Sequence, residues 1–358
     1  MSSVVNPANS LTGVTLVSGW TLVAKLSPGA GSTGGTFGVG YVGERGKERA
    51  FVKAIDFVGA LSSPDPLTEL AQLTSRANFE RDALAYCGDR RMSKVVRLLG
   101  HEYVNPSGSG DPMQRVSCLV MEIGDGDLRK QLNGAVSLPC SWSLSVLRDV
   151  ALAIDQLHRA GVSHQDIKPS NVISMSAPAL SKVEMKLGDL GRVVRKDVVG
   201  PYDSISWPGD PQYMPPERWY GHRPTEWPDE REASDAYMLG SLIFFLFTGV
   251  PIQPLLIAKI PTPYLPQNWR GGFDDTIVTL LRDVQARVIA EHLQPVIPAD
   301  LVDSLVAMAK DLTEPDPVRR GDPRARRGVG RPVGIDRFHQ RLRELALRAA
   351  IIERVRKP

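Results

Sequence analysis

The dominant hydrophobic period of the chain shifts near Gly124, from strand-like to helical, and this shift limits it to an α+β design with a β-rich front and a helix-rich back. Residues 21–26, 36–42, 50–55, 95–103 and 115–123 carry the β-branched, aromatic and alternating pattern of strands, with a helix expected over 67–86. Beyond Gly124, Leu147, Val150, Ile154 and Leu157 recur at steps of three and four, the spacing of one helix face. Residues 171–175 and 183–187 are strand-like around a Ser/Ala/Pro insertion, and the Pro-rich stretch 252–266 is expected to be irregular. Phe338, Leu342, Leu345, Ala349 and Ile352 fall on one face of a final helix. Residues 1–18 show no strong period and are expected to form a loosely ordered lead, and no internal repeat is present. The order implies two lobes with a cleft between them, the front one at 19–122 and the rear one at 123–347, with 348–358 ending the last helix.

Bulk properties exclude several classes. A chain of 358 residues, 42% hydrophobic and 23% charged, has ample material for a core. A net charge of +3 is too small to argue for nucleic acid by itself. The arginine-rich stretch 318–358 is better explained as a solvated helix face than as a nucleic-acid or membrane contact. Cys87, Cys118 and Cys140 form no C-x-x-C pair, so neither a disulfide framework nor a zinc site is expected, and none of the six histidines falls in a metal-binding spacing. Residues 1–19 lack the basic and apolar regions of a signal peptide. The apolar run 239–250 is too short to span a membrane and fits a buried helix, so the expectation is a cytoplasmic protein in a reducing compartment.

The most informative residues are His164-Gln165-Asp166-Ile167-Lys168-Pro169-Ser170-Asn171, followed by Gly188-Asp189-Leu190-Gly191. They supply a carboxylate, an amine, an amide and a second carboxylate. Moving a phosphoryl group asks for such a set, because the reaction needs in-line positioning and charge neutralisation rather than covalent chemistry. The segment resembles the catalytic and metal-binding loops of eukaryotic-type (Hanks-type) Ser/Thr protein kinases, with Gln165 in place of Arg and Leu190 in place of Phe. The resemblance implies a bilobal protein-kinase-like fold: a small β-rich N-lobe, a larger α-helical C-lobe, and an ATP cleft between them. It also implies ATP and Mg2+ as cofactors, with Asp166 as base, Lys168 steadying the transferred phosphate, and Asn171 and Asp189 holding metal. His164 is then a packing residue.

Further landmarks extend the resemblance over about residues 19–347. The glycine-rich stretch 28–38 is similar to the phosphate-covering loop, with Gly35 and Gly38 in its second and third glycine places and Thr33 in the first. Lys53 stands where the kinase lysine reaches the α- and β-phosphates, and Glu80 is the carboxylate expected to aim it, with Asp82 the alternative. Gly40 and Phe51 replace the valine and alanine that usually enclose adenine; an exchange in which Phe51 fills the space vacated at Gly40 would keep the slot apolar. Met121, Glu122 and Gly124 resemble the hinge, whose backbone meets adenine, and Asp127 is placed to accept from a ribose hydroxyl. Pro216-Glu217 matches the close of an activation segment, Asp235 should anchor the catalytic-loop backbone, and Arg320 should pair with Glu217.

Two departures bear on regulation and substrate. Gln165 removes the arginine that pairs with a phosphorylated activation segment, so activity without such phosphorylation is expected. Asp210 takes the place of a threonine and is expected to compete for Lys168. The resemblance implies an active Ser/Thr kinase with a protein substrate, the oligomeric state being open. The alternatives are a small-molecule phosphotransferase and a pseudokinase acting as a nucleotide-binding scaffold.

Overall fold

A computed structural model describes residues 6–27, 38–55, 57–108, 114–133, 138–175 and 184–355. The chain divides into two units, residues 1–125 with 189–191, and residues 126–188 with 192–358.

The first unit is built on an antiparallel sheet of β1 (Thr21–Lys25), β2 (Gly38–Arg45), β3 (Glu48–Ile55), β4 (Leu98–Val104) and β5 (Val116–Glu122), in the order β1-β2-β3-β5-β4. Alternation sorts the side chains of β3. Ala50, Val52 and Ala54 are buried in the core, while Phe51 and Lys53 point to the other face. A short helix α1 (Val58–Leu61) leads to α2 (Pro66–Asp89). Asp65 caps α2 by accepting from the Thr68 N–H at 3.3 Å, and Pro66 occupies its first turn, where a missing N–H costs nothing. Leu73, Glu80, Ala83, Leu84 and Cys87 form the buried side of α2, so one carboxylate is carried inward with the apolar residues.

The expectation of a loosely ordered lead fails for residues 6–18. Ala8, Leu11, Leu16 and Trp20 are buried in the same core as Leu22, Tyr41 and Val52. The Tyr41 hydroxyl donates to the Ala8 carbonyl at 2.7 Å and accepts from the Leu11 N–H at 3.4 Å. A one-turn 3-10 helix, Pro7–Asn9, and a chain of turns carry these residues, so their spacing follows no single period.

The second unit contains α3 (Leu128–Asn133), α4 (Cys140–Arg159), α5 (Pro216–Trp219), α6 (Ala233–Thr248), α7 (Ile252–Ile257), α8 (Asp275–Val288), α9 (Val302–Leu312), α10 (Pro323–Arg327) and α11 (Ile335–Val355). It also holds a small sheet in which β6 (Gly126–Asp127), β8 (Val172–Met175) and β9 (Glu184–Leu187) are neighbours, and a pair made by β7 (Val162–Ser163) and β10 (Val194–Arg195). The apolar face of α4 packs along α11, whose Phe338, Leu342, Leu345 and Ala349 are buried. The first three turns of α6 are buried on every side, whereas Phe245, Leu246 and Phe247 at the end of its apolar run are half-buried and Val250 is exposed, so the expected buried helix over 239–250 holds only for its first half. No helix among the described residues is long and apolar enough to cross a membrane.

The stretch 252–266 is more regular than its prolines suggest, since it holds α7 and a 3-10 turn, Thr262–Tyr264. Pro254 falls in the first turn of α7, where backbone N–H groups have no helical partner to lose.

Candidate active site

Two groups of polar side chains gather the expected site residues, one in each unit. In the first, Lys53 on β3 meets Glu80 on α2. The ammonium lies 2.7 and 2.8 Å from the two carboxylate oxygens of Glu80 and 3.4 Å from Asp189 Oδ1. Asp82 faces elsewhere and pairs with Arg81 at 2.8 Å. Burial on its own would pull the Lys53 ammonium below its usual range, but the two carboxylates hold it above. Lys53 is therefore a fixed cation at neutral pH. Gly38 lies close over it, because a Cβ at that position would meet Lys53 Cγ at 3.0 Å. Gly35 and Thr33 lie outside the described residues.

The Phe51 ring lies against Gly40, where an added Cβ would be 3.0 Å from Phe51 Cε2. Phe51 pairs with buried Met121 across β3 and β5, so ring and thioether occupy adjoining strands. Glu122 donates its N–H to the Arg97 carbonyl at 3.0 Å and accepts from the Arg97 N–H at 2.8 Å through its side chain. Gly124 follows in the irregular stretch after β5.

The second group is anchored by Asp235, the third residue of α6. Its Oδ2 accepts from the His164 N–H at 2.9 Å and from Ser163 Oγ at 2.7 Å; its Oδ1 accepts from the Gln165 N–H at 2.9 Å. These contacts hold Gln165 in the left-handed region at φ +62°, and the turn delivers Asp166. His164 is fully buried. Its Nδ1 accepts from the Asp166 N–H at 3.3 Å and its Nε2–H donates to the Gly188 carbonyl at 3.1 Å, so both ring nitrogens are committed and the ring orders the loop.

Asp166 is 5% exposed, and three donors surround its carboxylate. Lys168 Nζ stands 3.2 Å from Oδ2, Asn171 Nδ2 donates to Oδ2 at 3.3 Å, and the Asp210 N–H donates to Oδ1 at 2.8 Å. Asn171 Nδ2 also donates to the Asp166 carbonyl at 2.7 Å, which fixes the amide with its Oδ1 on the other side. Lys168 is shared, since its ammonium is 3.3 Å from Asp210 Oδ2. The contact of the Asp210 N–H to Asp166 has no sequence signal, because any residue but proline could provide it.

Asn171 Oδ1, in the second unit, and the Asp189 carboxylate, in the first, are each a hard oxygen donor of the kind Mg2+ prefers. Asp189, at φ +55° and with its side chain 38% exposed, follows Gly188, whose N–H donates to the Asn171 carbonyl at 2.8 Å. Asp127 is engaged within its own unit. Its carboxylate lies 2.6 Å from Arg129 and accepts from the Lys130 N–H at 3.0 Å, capping α3. Glu217 and Arg320 form a fully buried pair at 2.6 Å.

The protein kinase domain family matches residues 77–259, about half of the chain. The chain belongs to that family. Among similar curated proteins, the probable serine/threonine-protein kinase PknB of Lactococcus lactis is 26% identical over 175 residues, covering 49% of this chain and 26% of the relative. The sporulation protein kinase mde3 of Schizosaccharomyces pombe is 26% identical over 234 residues, 62% of this chain and 37% of the relative. PknB of Mycobacterium tuberculosis is 26% identical over 189 residues, 51% of this chain and 29% of the relative. The chain thus spans between a quarter and two fifths of the length of these relatives. Lys53 precedes the matched stretch, whereas Glu80, Asp166, Asn171 and Asp189 lie within it.

Proposed function

We propose that this kinase-family chain transfers the γ-phosphoryl group of Mg-ATP to serine or threonine hydroxyls of a protein substrate. The observation that carries the reading is the environment of Asp166, a buried carboxylate held by Lys168, Asn171 and the Asp210 N–H. A carboxylate so placed can accept the proton of an incoming hydroxyl, because neighbouring positive charge favours attack and transfer together. Lys168 steadies the group in transit, and Lys53, aimed by Glu80, binds phosphate oxygens. Asn171 and Asp189 hold Mg2+, which neutralises phosphate charge. Phe51, Gly40 and Met121 offer an apolar surface for adenine beside backbone groups of Glu122 and Gly124, and Gly35 and Gly38 belong to the phosphate-covering loop. The Ser/Thr preference rests on Lys168-Pro169 and on the likeness to the two PknB serine/threonine-protein kinases.

One observation favours a second reading. Lys168 lies as close to Asp210 as to Asp166, within 0.1 Å (3.3 against 3.2 Å), and a lysine so divided suits a nucleotide-binding module that no longer transfers phosphate. Incubating the protein with Mg2+ and γ-labelled ATP, beside an Asp166→Ala variant, separates the readings. The kinase reading expects labelled protein with the wild type and a loss of about 10²–10⁴-fold in the variant. ATP binding with no transfer to any protein would leave the binding module.

A further inference from the structure

Below the catalytic loop, three guanidinium groups converge on one carboxylate oxygen. Glu230 Oε1 lies 3.5 Å from Arg218 Nη2 and 3.4 Å from Arg231 Nη2, and Arg223 Nε donates to the same oxygen. Arg223 and Arg231 also donate to the Asp203 carbonyl, the latter at 3.2 Å. The side chains of Arg218 and Arg231 are only 1% and 3% exposed, whereas that of Arg223 is 39% exposed and opens the cluster to water. Arg218 spends Nη2 on the Glu230 carbonyl at 3.1 Å, and its Nε and Nη1 have no hydrogen-bond partner although both are buried.

Such an arrangement is short of negative charge. Glu217, the other carboxylate beside Arg218, makes its hydrogen bonds to Arg320 at 2.6 and 2.9 Å and acts on Arg218 only through its charge. Asp203 already accepts the Gly200 N–H at 2.7 Å. Burial pulls Arg218 and Arg231 below the usual arginine range; Glu217 and Glu230 offset this in part for Arg218, and Glu230 and Asp203 for Arg231, while Arg223, a like charge beside both, adds to it. An unmet buried guanidinium donor is costly, and a tetrahedral oxyanion offers several acceptors matched to the planar fork of arginine.

We propose that Arg218, Arg223 and Arg231 form a binding site for a phosphate monoester, in which Glu230 is the resident counter-ion that the ligand displaces. Glu230 and Arg231 are consecutive in a π-helical turn, Pro228–Glu232, so moving one moves the other. Arg231 Nη1 donates to Gln165 Oε1 at 3.2 Å, which links the site to the residue before Asp166. The site therefore lies one side chain and one peptide bond from the proposed base. The inference concerns binding and does not rest on the chain's catalytic competence.

The test titrates the protein, as purified and after phosphatase treatment, with inorganic phosphate and with O-phosphoserine, against sodium chloride of matched ionic strength, by calorimetry and thermal shift. A Ser204→Ala variant, which removes the exposed hydroxyl beside Asp203, separates ligand arriving from solution from an ester on the chain itself. The proposal expects saturable binding that survives Ser204→Ala and is weakened at least about tenfold by Arg223→Ala. Glu230→Gln, which removes the competing charge, should strengthen binding by a similar factor, about tenfold. Because Arg223 is the exposed member, its alanine variant should fold, and circular dichroism checks that it does. Binding unchanged in Arg223→Ala, or no saturable response to either ligand in the wild type, overturns the proposal. Untreated wild type that fails to bind, with binding restored by phosphatase or by Ser204→Ala, assigns the site to the chain's own ester and overturns the displacement from solution.

Discussion

Asp235 shows how much one buried carboxylate can organise. It accepts hydrogen bonds from the His164 and Gln165 N–H groups, from Ser163 Oγ, and at 2.8 Å from His158 Nε2. Burial would push its carboxyl up, yet the hydrogen bond and charge of His158 and the Gln165 N–H hold it below the usual aspartate range. A depressed carboxylate stabilises the fold above its ordinary pKa, and that contribution is lost as pH falls through the folded-state value. Asp235→Asn presents an NH₂ group to donors, so it should cost about 2–4 kcal/mol at neutral pH. The difference from wild type, followed by thermal unfolding across acid pH, should shrink as the wild-type carboxylate is itself protonated. The anchoring role was legible in the sequence because Asp235 has a fixed place in a known motif order. The left-handed backbone of Gln165 was not. Glutamine has no local preference for φ +62°, and only the assembled contacts offset a strain of about 1–3 kcal/mol. Lys53 and Glu80 were legible through strand and helix periods, which put each on the proper face. Asp127 was open to another use, since a carboxylate three residues before Lys130 is also an ordinary helix cap.

Among the elements, those with a clean period were read from sequence and those without one were not. β3 follows alternation and α4 follows its three-four spacing, while β5 reads as a continuous buried run, the other recognisable strand pattern. The segment before β1 buries Ala8, Leu11, Leu16 and Trp20 through turns, so no window of sequence contains a repeating signal. Its contribution can be measured. Leu11→Ala removes a fully buried side chain from the sheet core and should cost about 2–5 kcal/mol, detectable as a lowered denaturation midpoint. Tyr41→Phe should cost less, about 1 kcal/mol, because it removes one hydroxyl from two backbone partners. Further along, α9 carries Asp311, whose carboxyl burial raises to about 6 although Arg341 stands 3.9 Å away. The folded state thus binds this proton more readily than the unfolded chain does. An ionised Asp311 costs stability above its folded-state pKa, and the cost vanishes as pH drops below the ordinary aspartate value. Asp311→Asn should raise the melting temperature near about pH 8 and leave it unchanged near about pH 4. A variant that melts like the wild type at both would show that the buried carboxylate is not strained.

Across the whole molecule, the candidate site residues are scattered in sequence, and within each unit a few buried polar contacts join distant parts of the chain. Glu217 and Arg320 are 103 positions apart, yet two hydrogen bonds of 2.6 and 2.9 Å join them where neither side chain is exposed. Arg320 also donates to the carbonyls of Ala233, Glu314 and Pro315, so one guanidinium closes the start of α6, the end of α9 and α5 into a single knot. The sequence made the pair itself legible but not the three carbonyls, which depend on how the backbone turns around Pro315. Physics then separates two contributions. Attraction between buried charges roughly repays their desolvation, whereas a charge left without its partner is heavily penalised. Arg320→Met should therefore cost about 3–5 kcal/mol, because it strands both the Glu217 carboxylate and the carbonyl oxygens. Adding Glu217→Leu removes the stranded charge and should recover part of that loss, giving a coupling of about 0.5–3 kcal/mol in a double-mutant cycle. Recovery should stop short of wild type, because the three carbonyls stay unmet in the double variant. A double variant as unstable as the sum of its parents would mean that the two side chains act independently, and that the carbonyl contacts of Arg320, rather than its pairing with Glu217, hold the knot.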